Sequence, residues 1–317
     1  MPASVLILGA GLGGLVCGRL LGRRGHSVTI LEAQERPGGL LAPILWNGIP
    51  CEQGFHSVGG LGPGEPLEIL FRKLDLMHLP WYRAGADEGY PFLRLNAGSD
   101  LERDHVLKPY SQSVWRLHGG GAALAQELAR DLDVRYGARV AAIENQTVLC
   151  EDGRSFSANV IVSALSPRLT MSLLKDHMRP SYLRRMDKLK EGPGFFIVHC
   201  LLQQGCVPWQ SGAIFLDQTL MLHFAEQETG ILDLICFGEG NPEDMLRRAS
   251  ERLPGLSVKD YFTQKAPGYG FQKNSAIDYL PPQTPIPWLY LTGQGIGLHG
   301  ILGTTVSAFN TCKAIPL

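Results

Sequence analysis

The amino-terminal pattern of apolar and polar positions predicts a strand, a helix and a second strand in close succession. Val5-Leu6-Ile7-Leu8 is an unbroken apolar run rich in branched residues, as expected of a strand buried on both faces of a parallel sheet. Gly9-Ala10-Gly11-Leu12-Gly13-Gly14 follows at once. From Leu15 to Arg24 the apolar positions Leu15, Val16, Leu20 and Leu21 recur at helical spacing, and Gly25 supplies the positive φ of a helix end. Ser27-Val28-Thr29-Ile30-Leu31 is the second strand and runs into Glu32.

Further along, Ala138–Ile143 and Val160–Ala164 read as strands joined by turns at Asn145-Gln146 and Asp152-Gly153. Phe195–Leu202, Ala213–Leu216 and Ile231–Cys236 are further strands, while Leu169–Lys190 and Pro242–Leu253 have helical character. Near the carboxyl end, Trp288–Gln294 is a strand followed by a glycine-rich turn and a helix expected to begin near Gly303.

The first unit carries specific chemistry. A glycine triplet between strand and helix, with an acidic residue 18 positions after its last glycine, is the fingerprint of a bound dinucleotide. Gly9 permits the tight turn, Gly11 lets the backbone approach a pyrophosphate beside Leu12 and Gly13, and Gly14 allows close helix–strand packing. The helix N-terminus offers free N–H groups and partial positive charge to the phosphates. Glu32 would accept hydrogen bonds from a ribose diol.

Beyond Glu32, the stretch Ala33-Gln34-Glu35-Arg36-Pro37-Gly38-Gly39-Leu40 resembles the FAD-dependent family of phytoene desaturases, carotenoid isomerases and retinol saturases, with flavin amine oxidases as more distant relatives. Glu32, Arg36, Gly38 and Gly39 match that family's E-x(3)-R-x-G-G segment, whose glycines let the backbone pass the diphosphate and flavin. Leu117-His118-Gly119-Gly120-Gly121, leading into Ala122–Arg130, resembles its P-x-G-G-x-x-x-L stretch without the proline. The resemblance implies that Val140 meets the adenine through its backbone and that the strand ending near Ala164 lies alongside the dinucleotide. It also implies that Gly293, Gln294, Gly303, Thr304 and Thr305 form the flavin end. A helix N-terminus there would stabilise negative charge on a reduced ring.

The implied fold class is α/β, a Rossmann-type FAD-binding domain (GR2-like flavoprotein fold) with an inserted α+β substrate domain containing an antiparallel sheet. Residues 1–60, 105–166 and 286–317 would form the first domain, and 61–104 with 167–285 the second. Family members are commonly longer, so the substrate region of this chain is reduced. Gln294 stands where many relatives place an acidic residue. No second glycine fingerprint follows a strand, which argues against a dedicated nicotinamide domain.

Two histidines are candidates for catalysis. His299 sits inside the glycine-rich closing segment, and His56, in Gly54-Phe55-His56-Ser57, could face the isoalloxazine. A structural hydrogen bond is the competing role for each. Flavin chemistry itself requires few protein acids or bases, because the ring accepts the hydride.

Composition narrows the setting. The chain has 317 residues, 44% of them hydrophobic and 19% charged, with a formal net charge of −1, which gives no basic field for nucleic acid. Seven cysteines form an odd set without a C-x-x-C, so neither a zinc site nor a disulfide framework is expected, and a reducing cytoplasm is the simplest location. No apolar run reaches the ~18 residues of a membrane span, which leaves a peripheral membrane contact open.

The functional expectation is FAD-dependent redox chemistry on a carbon–carbon bond of a small apolar polyene or isoprenoid-like substrate, by desaturation, saturation or isomerisation. A flavin amine oxidase shares the fold, but relatives of that kind carry an acidic Gly-Glu pair where this chain has Gly293-Gln294-Gly295. A non-catalytic FAD-binding partner or scaffold is the third reading.

Overall fold

The computed structural model of the chain describes residues 2–54, 56–84, 113–174, 178–190, 192, 194–208, 213–216, 219–225, 227–266 and 279–316. The first strand, Ser4–Leu8, lies at the centre of a parallel sheet that has five strands among the described residues. Their order is Leu289–Leu291, Val160–Ser163, Ser4–Leu8, Ser27–Leu31 and Asp133–Arg135.

The strand's unbroken apolar run has a direct physical cause. Val5 and Ile7 enter a core with Leu15, Val16 and Leu21 of the helix Leu12–Arg23, Leu124 and Leu128 of the helix Gly120–Ala129, and Ala308 and Cys312 of the final helix, Gly300–Ala314. Leu6 and Leu8 face the other way, into a second core with Ile143, Val148, Ile161 and Leu289. With both faces covered, every residue of the run is buried. Each such aliphatic side chain contributes about 1.5–3 kcal/mol.

The first and last helices pack through small residues, with the Cys17 Sγ 3.7 Å from the Ala308 carbonyl. A three-stranded antiparallel meander, Val140–Glu144, Thr147–Cys150 and Ser155–Ser157, covers the second core. Its turns use left-handed backbone at Asn145, Gln146 and Gly153, the positions marked by the sequence.

The second sheet is antiparallel, in the order Ala213–Phe215, Leu220–Phe224, Ile231–Phe237, Phe195–Leu202 and Val258–Ala266. One face, bearing Phe196, Val198, Cys200, Leu222 and Leu234, packs on the helix Pro242–Arg252. The other turns towards the glycine-rich loops and carries Phe195, Ile197 and His199.

Three features differ from the sequence reading. Leu67, Phe71, Leu74 and Leu76 are fully buried in the first core rather than under the second sheet, because the short helix Pro66–Lys73 presents its apolar side to the parallel-sheet layer. The helical stretch 169–190 is two helices, Pro167–Leu173 and Pro180–Lys188, each started by a proline that cannot donate a backbone hydrogen bond. The final helix begins at Gly300 instead of near Gly303. Gly300 makes the entry turn at φ +72°, whereas a Cβ on Gly303 would overlap the Leu298 backbone, so that glycine serves packing. Parts of both expected domains, 85–112 and 267–278, lie outside the described residues.

Two glycines of the first helix give opposite expectations. A Cβ on Gly14 would overlap the Gly9 carbonyl oxygen, so Gly14→Ala should destabilise the fold by about 3 kcal/mol in urea unfolding. Gly22 is exposed with nothing within 4 Å of an added Cβ, so Gly22→Ala should raise stability by about 0.5–1 kcal/mol. A neutral Gly14→Ala would show that the helix is free to move off the strand.

Candidate functional site

At the carboxyl ends of the parallel strands the glycine-rich loops enclose a cleft of about 650 Å³, within the range of small-molecule sites. The Gly9 turn has φ +94°, and its N–H donates to the Leu31 carbonyl at 2.8 Å. Gly11 is the N-cap residue of the first helix, with extended backbone and no side-chain cap. That helix has no acidic residue in its first turn, so its free N–H groups and partial positive charge are left for an anion. A Cβ on Gly11 would meet nothing within 4 Å.

The second glycine pair packs directly on the first loop. The Gly38 N–H donates to the Ala10 carbonyl at 2.8 Å, and a Cβ on Gly39 would approach the Gly11 Cα to 3.2 Å. Glu32 is buried, and its carboxylate accepts from the Ala10 N–H at 2.7 Å and the Gln34 N–H at 2.9 Å. Each oxygen keeps a lone pair for a ribose hydroxyl.

Gly9, Gly11, Leu12, Gly13, Glu32, Arg36, Gly38, Gly39, Leu40, Ala164, Gly293, Gln294, Thr304 and His56 all line the cleft. Others expected there do not. Gly14 is spent on the strand contact, and Ala33 and Gly303 lie off the wall. Thr305 is buried with its hydroxyl donating back to the Ile301 carbonyl at 2.7 Å. Val140 belongs to the meander, paired with Cys150. His299 occupies the N-cap position of the final helix and is not part of the cleft wall. Gln34, the apolar turn Leu41–Ile44 and the sheet residues Phe195 and Ala266 line the cleft without having been anticipated.

His56 has both edges occupied. Its Nε2 lies 3.1 Å from the Leu40 carbonyl, and its Nδ1 lies 3.1 Å from Glu52 as an ion-pair contact rather than an aligned hydrogen bond. Burial works against the Glu52 carboxylate, but His56, His223 and Arg116 outweigh it and hold the acid at about 2. Burial also opposes the His56 cation, yet Glu52 and the Leu40 carbonyl raise the histidine above its ordinary value. Glu52 in turn accepts weakly from the Gly121 N–H at 3.4 Å, at the start of the helix Gly120–Ala129. A Cβ on Gly120 would overlap the Glu52 carboxylate, which gives the Gly119-Gly120-Gly121 stretch a physical reason.

Above the cleft, the second sheet carries a buried polar row. His223, Asp233 and His199 face one another across three strands, with His199 Nδ1 2.7 Å and His223 Nδ1 3.3 Å from the Asp233 carboxylate. Gln264 closes the row 3.0 Å from His199 Nε2. Burial opposes the Asp233 charge, but His199 and His223 hold it well below the usual carboxylate range. Arg116, also buried, donates to the Phe224 carbonyl at 2.7 Å. Glu52, Arg116 and Asp233 were not anticipated, although an aspartate inside the apolar run Ile231–Phe237 was a legible signal.

Residues 7–74 match the NAD(P)-binding Rossmann-like domain family, and residues 73–230 match the flavin containing amine oxidoreductase family. Among curated relatives, a probable polyamine oxidase of Arabidopsis thaliana is 28% identical over 37% of this chain and 20% of its own length. An all-trans-retinol 13,14-reductase of Danio rerio is 30% identical over 25% of this chain and 13% of its own length. The chain thus matches only about a fifth or less of these relatives. A CLA-producing fatty acid isomerase from P. acnes shares the fold across 99% of this chain and 98% of its own, with a TM-score of 0.68 and 11% identity.

Across residues 7–230 the chain is thus similar to FAD-dependent oxidoreductases. FAD is its cofactor, and the residues present fit it: an uncapped helix N-terminus for the diphosphate, a buried carboxylate for the ribose, and a Gly11 Cα open towards the cleft. No helix among the described residues is long and apolar enough to cross a membrane. Gly11 has φ −72°, which any residue adopts, so Gly11→Val should fold with a Tm within a few degrees of the apo wild type and yet retain no FAD. Stoichiometric yellow flavin in purified Gly11→Val would overturn this placement of the diphosphate.

Proposed function

We propose that the protein is an FAD-dependent oxidoreductase acting on a carbon–carbon bond of an apolar polyene or isoprenoid-like substrate, by desaturation, saturation or isomerisation. The observation that carries this reading is the character of the cleft wall beyond the glycine loops. Leu41, Ala42, Pro43, Ile44, Phe195, Ala266 and Ile301 present apolar surface there, which suits a ligand without charge.

FAD, when bound, exchanges a hydride with a substrate carbon. The chain's part is to orient that carbon, exclude water with apolar walls, and hold charge away from it. Among the described lining residues the ionisable groups are Glu32, Arg36 and His56. Glu32 is engaged with two backbone N–H groups, and His56 bonds the Leu40 carbonyl through Nε2 with its Nδ1 turned to the Glu52 carboxylate. Neither is free to take a proton from substrate, which favours a conjugated substrate able to delocalise the charge that hydride transfer leaves. The retinol reductase among the relatives and the fatty acid isomerase among the folds agree with this class.

Amine oxidation is the second reading, supported by the flavin containing amine oxidoreductase match and the polyamine oxidase relative. An ammonium substrate needs a carboxylate or an aromatic cage near the flavin, and Glu32 lies at the opposite end of the dinucleotide. Anaerobic mixing with polyenes, isoprenoids and amines separates the two. Flavin absorbance should change, or double-bond position shift by chromatography, with the apolar compounds alone. Bleaching by an amine and by none of the others would reverse the assignment.

A further inference from the structure

The structure holds one continuous polar chain that the cofactor site does not explain by itself. It starts at the N-terminus of the helix Gly120–Ala129, where the Gly121 N–H meets Glu52 at 3.4 Å. Glu52 contacts His56 Nδ1 at 3.1 Å, and His56 Nε2 reaches the Leu40 carbonyl at 3.1 Å. Leu40 sits in the short turn Gly39–Leu41, which is tied to Gly38 by the Leu41 N–H at 3.0 Å. Gly38 donates to Ala10, and the Ala10 N–H donates to Glu32. The chain therefore ends on both anchors of the dinucleotide, the pyrophosphate loop and the ribose carboxylate.

His56 is the link on which the others depend. An imidazolium has two N–H groups: here Nε2–H donates to the Leu40 carbonyl, and the Nδ1 edge lies as an ion-pair contact 3.1 Å from the Glu52 carboxylate. A neutral imidazole has a single N–H, and the carboxylate beside Nδ1 draws the proton there, which leaves the Nε2 lone pair against the Leu40 carbonyl. The turn is held in an unusual backbone, Gly38 at φ +126° and Gly39 at φ +56°, so losing the Leu40 anchor removes a side-chain tie that keeps it against Gly11. Deprotonation would also remove the cation nearest the buried Glu52 carboxylate and leave Arg116 as its remaining positive neighbour, a costly change.

We propose that Glu52 and His56 form a positioning pair that clamps the Gly38–Leu41 turn in the shape that receives the FAD diphosphate, so that the protein holds FAD at acid and neutral pH and releases it as His56 loses its proton. The inference rests on the cleft being the FAD site and is independent of the substrate. Both residues act on the cofactor through the turn.

The direction of the pH effect follows from the charges around the pair. Burial opposes the imidazolium, and Glu52 with the Leu40 carbonyl outweighs it, so protonated His56 persists above the ordinary histidine range. A group raised in the folded state contributes below its ordinary value and loses the contribution as pH rises through the raised one. The other charged and titratable groups around the pair are Arg116, His223, Asp233, Cys51 and His199. Arg116, from the strand Val114–Leu117, remains charged, and Glu52 is already ionised, being held at about 2. His223, on the roof strand, is lowered by burial and Arg116, while Asp233 is held well below the usual carboxylate range by His199 and His223. Cys51 is pushed up to about 12 by burial and Asp233. His199 is the remaining raised histidine, and it bonds within the roof row instead of to the turn.

The test is an FAD titration of apoprotein from pH 6 to pH 9, followed by flavin fluorescence, for wild type, His56→Gln and Glu52→Gln. Wild type should lose about tenfold or more in affinity across that range, as one charge-assisted hydrogen bond is given up. His56→Gln, whose amide takes up no proton in this range, should bind weakly at pH 6 and show a flat profile, and Glu52→Gln should move the fall to lower pH. The histidine signals of the apoprotein, followed by nuclear magnetic resonance, give a readout that needs no cofactor: the His56 titration should coincide with the loss of FAD. A flat wild-type profile, or a full slope retained in His56→Gln, would overturn the clamp while leaving the FAD site standing. Apoprotein that takes up no FAD at any pH would overturn the site and the clamp together.

Discussion

Close approach of backbone to backbone at the glycine loops is the constraint on which the rest of this molecule depends. The first helix can sit on the first strand because Gly14 has no Cβ to strike the Gly9 carbonyl. That contact aims the helix N-terminus into the cleft. The Gly38-Gly39 turn then rests on the outer side of the same loop, and Gly13 meets Gly293 so closely that a Cβ would come within 3.1 Å of the Gly293 Cα. Three segments far apart in sequence are thus held by close glycine contacts, and a dinucleotide bound there would be held by exposed peptide groups of these loops.

This explains which parts were legible from the sequence. Contacts made by glycine backbone leave a spacing that survives in any chain making them, so Gly9, Gly11, Gly13, Gly14, Glu32, Gly38, Gly39 and Gly293 could be placed from the sequence and all but Gly14 line the cleft. The buried first strand and the strand Phe195–Leu202 were equally clear, since continuous apolar runs report burial on both faces. The strand Val258–Ala266 was not, because an outer strand with Lys259, Asp260 and Lys265 exposed carries a pattern that reads as loop. The segment holding the helix Pro66–Lys73 was expected in the second domain, and nothing in its residues says which of two cores its apolar side will enter. Val140 and Thr305 were transferred by position in a motif and lie off the cleft wall, where the meander pairing and a backbone hydrogen bond account for them.

The buried charges follow a different logic. Glu52, His56, Arg116, His199, His223 and Asp233 sit between the glycine loops and the roof sheet, a region otherwise filled with apolar side chains. Burying such groups costs several kcal/mol per ion unless each finds a partner. Here the roof row pairs across strands at fixed register, and Phe262 stacks on His199 at 4.6 Å while also meeting Trp46 at 5.0 Å. Trp46 belongs to the hairpin that begins at Ile44, on the cleft wall, so the aromatic stack ties the roof to the same turn region that His56 holds from the other side.

Cofactor and substrate thus impose unequal demands on the chain, and the pattern of likeness to other proteins reflects this. The cofactor needs backbone geometry, which many sequences supply, and the fold accordingly persists over 99% of the chain at 11% identity. On the proposed reading the substrate would meet side chains of the roof and the Leu41–Ile44 turn, where a few changes would alter chemistry without disturbing the loops beneath. A polyamine oxidase and a retinol reductase can therefore both resemble this chain over short stretches. What distinguishes such enzymes is the charge offered beside the flavin, and this roof keeps its carboxylate, Asp233, fully engaged with two histidines and behind an apolar wall.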